Sequence, residues 1–69
     1  MQKFIVLFNS SPKEKAVLDL RNKFVSLGWG VERQLFSMDL AKGFVFVNLQ
    51  DDPLPFPDLS EFDVSTRMQ

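Results

Sequence analysis

Residues 3–28 read KFIVLFNSSPKEKAVLDLRNKFVSLG, and the change of period inside this stretch decides the fold. Lys3–Phe8 is β-branched and aromatic with no helical repeat, the pattern of a strand buried on both faces and therefore central in a sheet. Asn9-Ser10 breaks it. Ser11-Pro12-Lys13-Glu14 then carries helix-start chemistry. Ser11 is placed to cap free amides, Pro12 suits the first helical position, and Glu14 completes a capping box in the positive first turn. Val17, Leu20, Phe24 and Leu27 recur at three- and four-residue spacing beside Ala16, which predicts a helix from Pro12 to about Leu27. Lys13, Asp19, Arg21, Asn22 and Lys23 mark its wet face. Gly28 is placed to take the left-handed conformation that ends it.

Gly28-Trp29-Gly30 is a turn with one large ring, read as a lid on the helix end and, second, as a contact residue. Val31–Met38 alternates with mixed faces, as expected of a strand near a sheet edge. Asp39–Gly43 has hairpin length, with Gly43 available for positive φ. Phe44–Leu49 (FVFVNL) is a second strand too apolar to have a wet face. The predicted body, residues 1–50, is therefore a small α+β unit of order β-α-β-β, half-ferredoxin-like. It is expected as a three-stranded mixed sheet of order 2-3-1, with strands one and two parallel across a right-handed crossover. One helix covers one face. The other face stays open, which predicts homodimerisation through that face or an edge strand.

Residues 51–69, DDPLPFPDLSEFDVSTRMQ, form a Pro-rich tail. Alternating Pro53, Pro55 and Pro57 favour an extended course, and Leu54, Phe56, Leu59 and Phe62 supply apolar anchors. Two readings stand side by side: a strap folded back on the body, or a docking motif for a partner. The formal net charge of −1 conceals a division that bears on this. Residues 1–50 carry Lys3, Lys13, Lys15, Arg21, Lys23, Arg33 and Lys42 against Glu14, Asp19, Glu32 and Asp39. The tail carries Asp51, Asp52, Asp58, Glu61 and Asp63 against Arg67. A basic body is thus joined to an acidic, aromatic tail.

The chain has no histidine, cysteine or tyrosine, which removes the usual general base, thiolate ligands and disulfides. No glycine-rich phosphate loop or nucleophile with its base stands out, so no enzyme, cofactor or metal site is expected; Asp51-Asp52 reads as solvated charge. No apolar run reaches membrane-span length and no secretory leader is read, so the expected location is cytoplasmic.

The segment Asp51-Asp52-Pro53-Leu54-Pro55-Phe56 resembles the acidic tips of bacterial single-stranded-DNA-binding proteins. In those tips a Pro-Phe pair ends the chain and docks into basic, apolar pockets of DNA-processing enzymes, whereas here thirteen residues follow Phe56. Strand one, the capped helix, the Gly turn and Val31-Glu32-Arg33-Gln34-Leu35-Phe36-Ser37 are similar in topology to the small ferredoxin-like proteins of CRISPR adaptation complexes and their toxin–antitoxin relatives. Asn9 falls near that family's strand-one metal-binding Asp, and a neutral amide is a poor substitute for it. The expected function is a small non-enzymatic protein-binding module, of the kind a phage-type viral regulator or inhibitor uses against a larger enzyme. It would act through the open sheet face and Asp51, Asp52, Leu54, Phe56, Leu59 and Phe62, with Trp29 second. The rival is a ferredoxin-like homodimer binding nucleic acid through Lys13, Lys15, Arg21 and Lys23 on the helix exterior.

Overall fold

The computed structural model describes all 69 residues, in the order β1 (Gln2–Phe8), α1 (Glu14–Val25), β2 (Gly30–Ser37), β3 (Leu40–Asn48) and β4 (Val64–Met68). It is a small α+β fold with one helix and a four-stranded sheet of order β2-β3-β1-β4. Two expectations are corrected here. The sheet has four strands and not three, and every neighbouring pair is antiparallel, so it is not mixed. β1 and β2 do run parallel to each other, but β3 lies between them. The strand missed, β4, comes from the tail. Its sequence VSTRM shows only one residue in two to the core, so it lacks the apolar run that marked β1 and β3.

Register assigns the faces. Phe4 pairs with Phe46 and Met68, Val6 with Phe44 and Thr66, and Phe8 with Val64, which puts these residues on one side. Val17, Leu20 and Phe24 of α1 pack there, with the Phe24 ring stacked on Phe46 at 3.9 Å between centroids. Leu54, Leu59 and Phe62 from the 49–63 connection join the same core. The tail is therefore a strap across the helix side of the sheet. The other face carries Lys3, Ile5, Leu7, Val45, Val47 and Leu35, and no helix packs on it. Val45 is nevertheless wholly buried. Lys3 of β1 and Glu32 of β2 flank β3 and meet at 2.6 Å, so their ion pair and its methylene stems pass over the middle strand.

The helix begins two residues later than predicted. Lys13, extended at φ −75°, ψ 153°, takes the N-cap position with no side-chain cap, and Ser11 caps nothing. Pro12 disfavours helical backbone at the residue before it and so fixes an extended approach. The other end follows expectation. Gly28 has φ +102°, its N–H donates to Val25 O at 3.0 Å, and Trp29 N–H donates to Phe24 O at 3.2 Å, the paired bonds of a Schellman motif. The β2–β3 hairpin corrects a further expectation. The turn is Met38-Asp39, both at positive φ (50° and 68°), a two-residue type I′ geometry. Gly43 lies instead inside β3, where an added Cβ would run into the β1 backbone at Val6 and Leu7.

Candidate functional site

Four aromatic side chains and a carbonyl build the site. The Schellman motif throws Trp29 back over Phe24, with ring centroids 6.1 Å apart and edge to face. Trp29 is buried, 3% exposed, and its indole Nε1–H donates to Pro55 O at 2.9 Å, so the helix end and the strap hold each other. That bond positions Phe56. Its ring lies 4.9 Å from Phe4 and 5.4 Å from Phe24, yet Phe56 remains 43% exposed. A cleft of about 240 Å³ opens beside it, lined by Gln2, Phe4, Trp29, Leu54, Phe56 and Thr66.

The rim of this cleft is organised by Asn48, the last residue of β3, which is 1% exposed. Its Nδ2 donates to Asp52 O at 2.9 Å and to Gln2 Oε1 at 3.4 Å, while its Oδ1 accepts from Gln50 N–H at 2.9 Å. This turns the chain sharply out of the sheet and leaves the Asp51 and Asp52 carboxylates exposed, without a hydrogen bond or ion pair. Gln2 lines both the cleft and a shallow depression formed with Asn48, Gln50, Asp51 and Pro53, so the two share one wall.

Of the residues singled out from sequence, Trp29, Leu54 and Phe56 meet in the cleft, Asp51 lines the neighbouring depression, and Asp52 follows it on the exposed turn. Leu59 and Phe62 lie elsewhere, in a turn closed by Phe62 N–H to Leu59 O at 3.0 Å. There Phe62 packs on the core beneath the Lys23 ammonium, 5.7 Å from the ring centroid. Asp58 opens this turn. The backbone N–H and the hydroxyl of Ser60 hydrogen-bond its carboxylate, and with a weaker pull from Lys23 they hold its pKa below the ordinary 3.8 against a small opposing desolvation. Gln2, Phe4, Asn48 and Thr66 were not anticipated. Phe4 was legible only as a core residue, and Asn48 stood as one polar letter in an apolar run.

Two of the four basic helix residues are paired with acids of the chain. Lys15 pairs with Asp19 at 3.1 Å and Lys23 with Glu61 at 2.8 Å, leaving Lys13 and Arg21 unpaired. No helix is long and apolar enough to cross a membrane. No protein-family model, curated protein or solved structure matches the chain.

Proposed function

We propose that this chain is a small non-catalytic protein-binding module, a regulator or inhibitor of a larger partner. It takes an apolar side chain of that partner into the aromatic cleft, while Asp51 and Asp52 engage basic residues beside it. The observation that carries this reading is Phe56. A phenyl ring held by three other rings and still 43% open, on a strap that also carries the unpaired Asp51 and Asp52, has the form of half an anchor site. Carboxylates at the rim steer and select, and the apolar pocket supplies affinity. In topology the chain is a ferredoxin-like unit whose second helix is replaced by the strap. A strap covers less than a helix, which accounts for the gap over Phe4 and Trp29. The nucleic-acid reading is weaker, since two of its four cations are already paired within the chain.

Trp29 is the only tryptophan and there is no tyrosine, so intrinsic fluorescence reports on the cleft alone. The test titrates the protein with an array of short peptides lacking tryptophan and tyrosine, each carrying a central Leu, Ile or Phe flanked by Lys or Arg. Binding is expected to shift Trp29 emission, to weaken with salt, and to be lost in Phe56→Ser and in the Asp51→Lys/Asp52→Lys double variant. Absence of any response across the array, or binding indifferent to both variants, rejects the reading.

A further inference from the structure

The two edges of the sheet are built differently. β2 carries two register irregularities, between Val31 and Arg33 and between Leu35 and Phe36, and places Glu32 and Arg33 at the first of them. Bulges and charges of this kind keep an edge from pairing. β4 has neither. Its register with β1 runs unbroken from Phe4↔Met68 to Phe8↔Val64, without proline or bulge.

The phase of its hydrogen bonds is also fixed. Gln69 N–H donates to Lys3 O at 2.9 Å, and Asn9 N–H donates to Asp63 O at 3.0 Å. In an antiparallel ladder bonded pairs alternate with non-bonded ones, so Ser65 and Arg67 turn their backbone groups to β1. Val64, Thr66 and Met68 therefore point their N–H and C=O groups outward, away from the sheet. The same three residues put their side chains on the core face, opposite Phe8, Val6 and Phe4, and Met68 is 62% exposed there.

We propose that two copies of the chain join β4 to β4, antiparallel, about a two-fold axis at Thr66. This register matches outward groups with outward groups: Thr66 faces Thr66, and Val64 of each copy faces Met68 of the other. Three bonded pairs form, and the exposed Met68 gains an apolar neighbour in line with Phe4 and Phe46. On the opposite face Arg67 meets Ser65, so no like charges oppose. Other centres fit worse. A two-fold at Arg67 sets the two guanidinium groups against each other in a close non-bonded pair, and one at Ser65 carries Met68 beyond the end of β4. The closed, isologous pairing consumes both copies' open edges. It also places two aromatic clefts in one assembly, since Thr66 lines the cleft.

Sedimentation equilibrium tests this. The mass is expected to rise with concentration from 8.0 kDa to twice that value, with a dissociation constant on the order of micromolar for so short an edge. Thr66→Lys and Thr66→Glu each place like charges face to face and are expected to weaken the dimer by roughly tenfold or more. Mixing the two variants is expected to restore association as a heterodimer. Hydrogen exchange on the unaltered protein gives a second readout that does not depend on variants folding. Protection of the Val64, Thr66 and Met68 amides should rise with concentration, while that of outward-pointing β2 amides stays constant. A monomer at every concentration, a dimer indifferent to the Thr66 charges, a mixture that fails to reassociate, or concentration-independent exchange at β4 overturns the proposal. A dimer indifferent to Thr66 would place self-association on the uncovered sheet face. The Trp29 titration is run on the protein with Thr66 intact, at concentrations where it is monomeric, so the two proposals fail separately.

Discussion

Replacing Gly43 by alanine tests the packing logic of the sheet more sharply than any core truncation. Gly43 lies in β3 opposite Leu7 of β1. A Cβ there would come within 3.0 Å of Leu7 Cα and of the Val6 carbonyl carbon, and closer still to the Val6 carbonyl oxygen. All three are backbone atoms of the central strand, so no rotamer change relieves the clash. β1 must move off β3, and because β4 hangs on its far side, β4 moves with it. Overpacking of this kind costs about 1–3 kcal/mol, and each ladder bond lost adds about 1 kcal/mol. A loss of about 3 kcal/mol stands against a total of roughly 3–10 kcal/mol for a domain of this length. At about 4–8 °C per kcal/mol, Tm should fall by roughly 12–24 °C. Gly28→Ala is the control. It strains a backbone at φ +102°, at about 1–2 kcal/mol, but its Cβ meets only the end of the Leu54 side chain, at 3.1 Å. Thermal unfolding followed by far-UV circular dichroism ranks the two. If Gly43→Ala melts within a few degrees of the unaltered protein, or if Gly28→Ala is the more damaging, the close approach of β1 and β3 is not as described.

Two further outcomes follow from the strap. Truncation after Gln50 removes Leu54, Leu59, Phe62 and Val64 from the core together with the whole of β4, so the remaining body should be unfolded, with coil-like circular dichroism and water-exposed Trp29 emission; a cooperatively melting truncated chain would contradict this. Asn48→Ala leaves the Asp52 carbonyl and the Gln50 N–H without their partner, and should cost about 1–3 kcal/mol in urea unfolding while hastening proteolysis between residues 49 and 55; an unchanged midpoint would show that the turn holds without it.

What the sequence made legible is what local period and a single strong residue can encode. β1, α1, the Gly28 terminus and the place of β3 between β1 and β2 followed from apolar runs, helical spacing and one glycine. The misses have separate physical causes. Ser11 looked like a cap because Ser-Pro-x-Glu satisfies the capping pattern, but Pro12 keeps the approach extended and the N-cap falls at Lys13. Asn9 Nδ2 donates to Asp63 Oδ1 at 2.9 Å and the Ser65 hydroxyl donates to Asn9 Oδ1 at 2.6 Å, fastening the end of β1 to the start of β4. Gly43 looked like the turn because glycine is the usual left-handed residue, yet Met38 and Asp39 take that backbone and glycine is spent on close strand approach. β4 was hidden because an edge strand with one wet face has little apolar signal. The cleft was half legible. Trp29, Leu54 and Phe56 stood out as rings and anchors, whereas Gln2, Phe4 and Thr66 join them only through a register that spans the whole chain.

The same register explains both the phenylalanine content and the charge division. Phe24, Phe44 and Phe46 are buried, Phe4, Phe8 and Phe62 pack against them, and only Phe36 and Phe56 are left exposed. A sheet covered by one helix needs that many rings because the strap, having no helical backbone to bury, must contribute bulk through side chains. The acidic residues of the strap then divide into two groups. Glu61 is held by Lys23, Asp63 by Asn9 and Ser10, and Asp58 by Ser60, so these three fasten the strap to the body or close its turn. Exposed pairs of this kind add little stability singly, but they fix where the apolar residues between them come down. Asp51 and Asp52 take no part in that fastening. They are the acid pair left facing outward, where Asn48 holds the Asp52 carbonyl and Asp51 lines a depression that shares Gln2 with the aromatic cleft. One ion pair, Lys23 with Glu61, joins a body cation to a tail acid, the other strap fastenings are carboxylate bonds to neutral groups, and Asp51 and Asp52 are the tail acids left without a partner.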